Sequence, residues 1–143
     1  MKKNILTFLG MQLFLCLICF STHAQFSMTS YVNSGSRTAF AYQIGSRLKP
    51  EIRLHNQVLG DNSDADLEAL VLLDVKKSDR YDFYLGAGVK SGGENQLMVP
   101  IGIQFRPITN LQNIGVIIEM ASLYDGDLFL TNSFGIRYTF SKD

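Results

Sequence analysis

The chain has 143 residues, of which 46% are hydrophobic, and its 13 basic side chains balance 13 acidic ones. This neutral composition provides no basic surface for nucleic acid, and the length suits a single domain. Both cysteines, Cys16 and Cys19, lie in an apolar N-terminal run and follow large residues. We therefore expect neither a disulfide nor a lipid anchor in the rest of the chain.

Residues 1–24 have the features of an export signal. Lys2 and Lys3 form a positive start, residues 5–20 are apolar, and Thr22 and Ala24 place a small-x-small cleavage site before Gln25. A single membrane anchor is the alternative, but the apolar run is shorter than the roughly 20 residues that a spanning helix needs. The sequence predicts an exported domain over residues 25–143, which is 143 − 24 = 119 residues long.

From residue 26 onward, apolar and polar or small side chains alternate with a period of two. This is the pattern of β-strands, because successive side chains of a strand point to opposite faces of the sheet. No helical periodicity separates the segments. The sequence predicts eight strands, over residues 26–32, 38–47, 51–58, 67–77, 81–90, 97–106, 114–124 and 127–140.

Turn-forming sequences separate these segments. Residues 33–37, 48–50, 60–66, 78–80, 91–96 and 107–113 are predicted connections, and Asp125-Gly126 is typical of a tight hairpin. Pro50 fits a turn because proline cannot donate to a central ladder. Pro100 falls inside the sixth segment and suggests an edge, an end or a bulge there.

The last segment shows the alternation most clearly. Its large residues share one face, whereas Arg137 lies between two small residues on the other. A soluble sheet would bury the large face, but a membrane barrel turns that face to lipid and the arginine face to its interior. The two faces are Phe134, Ile136, Tyr138 and Phe140 on one side, and Gly135, Arg137 and Thr139 on the other.

An exported chain with eight alternating strands and a final strand ending in an aromatic residue resembles the small outer-membrane β-barrel proteins of Gram-negative bacteria. The resemblance implies an all-β fold, an eight-stranded antiparallel up-and-down transmembrane barrel in the outer membrane. It also implies contact with outer-membrane lipid, and with the outer-membrane assembly machinery through the C-terminal strand. Residues 141–143 extend beyond Phe140, so the assembly signal is not strictly terminal.

The orientation follows from the loops. If the N-terminus is periplasmic, the connections after strands 1, 3, 5 and 7 face outward. Outer loops are usually the longer ones, and the connections 60–66 and 91–96 fit this rule, whereas 107–113 and Asp125-Gly126 do not.

The polar faces of the predicted strands would together line the interior. Because an eight-stranded barrel is about filled by its own side chains, we expect ion pairs and hydrogen bonds there rather than an open channel. The predicted interior network consists of Glu51, Arg53, His55, Gln57, Glu68, Asp74, Lys76, Asp82, Tyr84, Lys90, Gln104, Arg106, Glu119 and Arg137. For Arg137 we expect a carboxylate partner, with Glu51, Asp82 and Glu119 as candidates.

Catalytic chemistry has little support in the sequence. Some outer-membrane barrels hydrolyse lipid with a histidine and a serine on one strand, but Gln57 stands where a serine two positions after His55 would be expected. Gly86 and Gly88 precede no helix and so form no nucleotide-binding loop. No spacing of metal ligands is present, and we expect no cofactor.

We therefore predict a non-enzymatic outer-membrane protein with a structural or interaction role, whose specific protein partner is unknown. Three alternatives stay open: a soluble periplasmic or secreted lipocalin-like barrel that binds a small apolar ligand, a lipid-modifying enzyme, and a small-solute pore.

Overall fold

The structure is a computed structural model that describes residues 25–32, 36–55, 67–92, 95–108 and 111–140. The predicted export signal, Gln57 and residues 141–143 lie outside the described residues. None of the described residues forms a helix that is long and apolar enough to cross a membrane.

Eight antiparallel strands form one closed barrel, in which each strand pairs with its neighbours in sequence and β8 closes the ring against β1. The prediction of an all-β, eight-stranded up-and-down barrel is confirmed. The strands are β1 Gln25–Val32, β2 Arg37–Gln43, β3 Leu48–His55, β4 Leu67–Lys77, β5 Tyr81–Ser91, β6 Gln96–Phe105, β7 Ile114–Tyr124 and β8 Leu128–Phe140.

The barrel is polar inside and apolar outside. On β3, Glu51 and Arg53 point inward and are at most 1% exposed, whereas Ile52 between them points outward and is 53% exposed. The same alternation on β8 buries Arg137 and leaves Ile136 56% exposed. Because side chains alternate across a strand, the large outward residues are apolar along the uninterrupted parts of the strands. The inward rows carry the charged residues together with a smaller apolar group, which includes Leu70, Leu72, Met98 and Ile117.

Residues 48–50 and Arg37, all predicted in turns, belong to strands instead. The chain reverses at residues 45–47, where Gly45 has a φ of 61°, so β3 begins at Leu48 rather than at residue 51. Gly45 accommodates this left-handed conformation because it has no Cβ. As a result Lys49, predicted in a turn, lies inside the barrel. Arg37, also predicted in a turn, begins β2 and is 2% exposed.

Pro100 interrupts a ladder without shifting it. The pairing of β5 with β6 runs from Tyr81 to Leu85, breaks opposite Pro100, and resumes at Gly88 in the same register. Proline lacks the N–H group that the ladder needs. The expected edge, end or bulge at this position was therefore wrong, because β6 is a continuous strand with a neighbour on each side.

Candidate functional site

The centre of the interior is a cluster of three arginines and three glutamates, with Arg53 at its middle. The two terminal nitrogens of Arg53 each lie 2.7 Å from one carboxylate oxygen of Glu119 on β7. Its Nε donates to Glu51 Oε1 at 2.6 Å, and its Nη1 lies 3.6 Å from Glu68 Oε2. Such two-pronged arginine–carboxylate pairs are among the strongest hydrogen bonds in proteins. Arg53 thus links three strands through its charge.

The other two arginines contact two of the same carboxylates and lie on β8 and β2, the two strands that flank β1. Arg137 on β8 pairs with Glu51, and its Nε donates to Thr29 Oγ1 at 2.7 Å. Arg37 on β2 donates to Glu68 Oε1 at 3.0 Å. Three guanidinium charges therefore face three carboxylate charges, which is the condition for charges to persist in a buried site.

Two tyrosines complete this cluster. Tyr31 on β1 donates to Glu51 at 3.2 Å, and Tyr84 on β5 donates to Glu119 Oε2 at 2.7 Å. The guanidinium carbon of Arg53 also lies 4.7 Å from the centroid of the Tyr31 ring. A cation over an aromatic face is attracted by the ring quadrupole. The rings therefore fill space beside the charges and stabilise them at the same time.

The end of the barrel that contains the start of β1 and the end of β8 holds a second, smaller group of charges. Lys49 Nζ lies 2.6 Å from Asp74 Oδ1, and Lys77 Nζ lies 3.4 Å from Asp74 Oδ2. Arg106 pairs with Asp82 through both carboxylate oxygens. In the described part of the chain, this group therefore has three cations and two carboxylates.

The structure brings most of the predicted interior residues together. The members with contacts described above are Glu51, Arg53, Glu68, Asp74, Asp82, Tyr84, Arg106, Glu119 and Arg137. Gln104 accepts from Arg137 Nη1 at 3.3 Å. His55 lies near the opposite rim, with its Nε2 2.6 Å from Glu68 Oε1. Lys90 is half-buried and lies opposite Glu68 and Gln96 in the ladders.

Lys76 was predicted inside and is an exception. A β-bulge shifts the register of β4 against β5 between Asp74 and Lys76, so Lys76 pairs with the outward-facing Phe83. Its ammonium group lies 5.6 Å from the Tyr81 ring centroid on the outer surface. A one-residue shift moves every later side chain to the opposite face, and Lys77 takes the inward place instead.

Within the described ranges of the chain, the predicted network lacked three large polar side chains that lie inside, those of Tyr31, Arg37 and Lys49. It also lacked the smaller Ser27, Thr29 and Ser133. Arg37 and Lys49 lay in predicted turns. Tyr31 lies near the end of a weakly alternating segment. It is the one large residue on the face that it shares with Ser27 and Thr29, which point inward as well, and this shared face was the available signal. Among the described residues, no group of three or more His, Cys, Asp or Glu side chains is arranged to hold a metal ion.

No model of a known protein family matches this sequence, and no curated protein matches it. Solved structures do match in fold. The N-terminal β-barrel domain of Pseudomonas aeruginosa OprF aligns with a TM-score of 0.62 at 8% identity, covering 82% of this chain and 96% of that one. This chain has the fold of small outer-membrane β-barrels.

Two designed proteins share the same architecture. The solution structure of the designed protein TMB2.3 gives a TM-score of 0.61 at 12% identity and covers 83% of this chain and 94% of that one. A second structure, from work on the de novo design of transmembrane β-barrels, gives 0.57 at 16% identity and covers 82% and 94%. At these identities the similarity concerns the fold alone.

Proposed function

We propose that this protein is exported, spans the outer membrane as a closed barrel, and has a structural or interaction role rather than a catalytic or conducting one. The observation that carries the proposal is the inverted polarity of the barrel, with charges inside and large apolar side chains outside. Monomeric soluble proteins rarely expose apolar patches larger than a few hundred Å². A hydrocarbon environment accounts for an apolar outer surface that runs around the ring.

Strand length and the outer aromatic residues agree with a bilayer. β4, β5 and β7 each have 11 residues, and about 9–11 tilted residues cross a hydrocarbon core. The start of β1 lies beside the end of β8, and aromatic rings meet there. The ring centroids of Phe26 and Phe140 lie 5.6 Å apart, and those of Tyr138 and Phe140 lie 4.8 Å apart. Outer-membrane barrels carry aromatic residues at their membrane–water interfaces, and these rings lie at the strand ends where one such interface would be.

The interior supports the second half of the proposal. A lipocalin-like barrel needs an apolar cavity, whereas here fully buried Arg53, Glu51 and Glu119 occupy the centre. Because an eight-stranded lumen is about filled by side chains, we expect their mutual contacts to leave no continuous path for solutes. The outer connections are then the parts available to a partner. The outward row of β8, ending at Phe140, is what we propose the assembly machinery recognises.

Single cysteines test the membrane placement. We suggest Phe83→Cys, Ile103→Cys and Ile136→Cys, each in a background where Cys16 and Cys19 are alanine. In membranes, these sites should react with a maleimide that dissolves in lipid and resist a charged, water-soluble one. Asp79→Cys in the turn before β5 is the control that should react with the charged reagent. Rapid labelling of the three outer-face sites by the charged reagent would overturn the proposal.

A further inference from the structure

The barrel end that contains Lys49, Lys77 and Arg106 encloses a polar cavity of about 50 Å³. Arg137 and Gln104 line its inner wall, and Asp82 is the one carboxylate among its lining residues in the described part of the chain. A cavity needs about 10–15 Å³ of such volume to hold one water molecule. The space is therefore larger than a single water molecule needs and suits a small polyatomic ion.

The charges around this cavity do not cancel. Lys49 and Lys77 share one carboxylate, that of Asp74, whose side chain is fully buried. Asp82 is already paired with Arg106. Among the described residues of this group, the three cations Lys49, Lys77 and Arg106 face two carboxylates, whereas Arg137 belongs to the balanced central cluster. Lys77 has the longer of the two contacts with Asp74, and its side chain is 36% exposed, so its charge can pair with an anion that enters the cavity.

The hydrogen-bonding groups are also unequal. An ammonium group has three donors and no acceptor, and a guanidinium group has five donors and no acceptor. Gln104 accepts from Arg137 through its side-chain oxygen, which leaves its amide nitrogen as a further donor. Lys77 donates to Ser46 O at 2.9 Å, and its contact with Asp74 is longer than that of Lys49. The cavity is richer in donors than in acceptors, as an anion site requires.

We propose that this cavity binds a small inorganic oxyanion of the sulfate or phosphate type, held by Lys49, Lys77 and Arg137. A phospholipid headgroup carries the same chemistry, but its glycerol and chains would not fit into a space of this size inside the barrel. The proposal does not depend on membrane insertion, because it concerns the interior of the folded barrel.

Sulfate titration of the purified protein in a non-ionic detergent tests the proposal. Sodium gluconate replaces sodium sulfate at the lower sulfate concentrations, so that the ionic strength stays constant. The gluconate anion is too large to compete for the cavity. We expect saturable shifts of the Gln104 side-chain amide resonance in NMR spectra. The matched variants are Lys77→Gln, at the cavity, and Lys76→Gln, one residue away on the outer surface. Both remove one lysine charge from an exposed position of β4, so both should fold.

Loss of one charge-assisted hydrogen bond should weaken sulfate binding about tenfold in Lys77→Gln. Lys76→Gln should bind sulfate like the parent protein, and phosphate should compete with sulfate for the site. Equal weakening in the two variants would show general charge attraction and would overturn the proposal. An absence of saturation in the parent protein, with Gln104 resonances unchanged, would mean that the cavity holds only water and would overturn it as well.

Discussion

The central cluster predicts a specific pattern of stability when Arg53 is replaced. In Arg53→Met, two guanidinium groups would face three carboxylates, and Glu119 would keep the Tyr84 hydroxyl as its described partner. Removing one member of a buried ion pair commonly costs about 3–5 kcal/mol. Arg53 is fully buried, contacts three carboxylates and lies over the Tyr31 ring, so the upper half of that range is expected.

Urea unfolding of the refolded protein in detergent micelles measures this loss. With a denaturant slope of about 2 kcal/mol per M, a loss of about 4 kcal/mol lowers the unfolding midpoint by about 2 M. Lys76→Met is the control, because Lys76 lies on the outer surface and surface substitutions usually change stability by less than about 0.5 kcal/mol. The fluorescence of the tyrosines or circular dichroism follows the transition.

A second substitution separates charge balance from packing. In Arg53→Met with Glu119→Gln, two arginines face two glutamates, so much of the lost stability should return. We expect a coupling free energy of about 1–3 kcal/mol between the two sites. If the double variant is as unstable as the sum of the single variants, the cluster is not held by charge balance. An Arg53→Met midpoint equal to that of Lys76→Met would refute the reasoning altogether.

Two further predictions concern the narrow, filled interior. A Cβ added at Gly88 would overlap the carbonyl oxygen of Ala69, and a backbone atom of the neighbouring strand cannot move away without disturbing the sheet. Gly88→Ala should therefore lower the yield of folded barrel, measured by its heat-dependent shift on gel electrophoresis. Gly45→Asn is its control, because nothing lies within 4 Å of that Cβ and asparagine tolerates a positive φ; equal yields would contradict the predicted overlap. In planar bilayers the purified protein should give no stable conductance steps, because the central ion pairs fill the lumen. Reproducible steps that are absent from the solvent control would show that a path for ions exists.

The fold could be predicted because alternation and turn composition are local signals. The bounds of β4 and β7 were predicted to the residue, and inward and outward faces followed wherever a strand was uninterrupted. Errors arose at irregularities. The bulge after Asp74 left no mark in the alternation, so Lys76 was placed inside and Lys77 was not. The loop after β7 has three residues, Asp125 to Asp127, rather than the two of a tight hairpin at Asp125-Gly126. Arg137 therefore pairs with Gly115, whereas a two-residue loop would pair it with Ile114.

The ion pairs could be predicted only as a set. Sequence patterns indicated that Arg137 would point inward and find a carboxylate, and the structure pairs it with Glu51. These residues lie on β8 and β3, which are not neighbours in the sheet. Contacts across a lumen depend on strand tilt and stagger, which are properties of the closed ring. A single strand carries no information about them, so three candidate partners remained equal.

Gly102 shows how closely the local sequence and the closed ring depend on each other. A Cβ at this position would overlap the ring and hydroxyl of Tyr84, the side chain that donates to Glu119. Glycine thus lets a large residue lie flat across the neighbouring strand and reach the central cluster. Glycine within a strand costs conformational entropy, and close approach of another group is a common reason for its presence. Here the hydrogen bond between Tyr84 and Glu119 offsets the entropic cost of Gly102. The small residue on the inner face therefore helps to stabilise the buried carboxylate of Glu119.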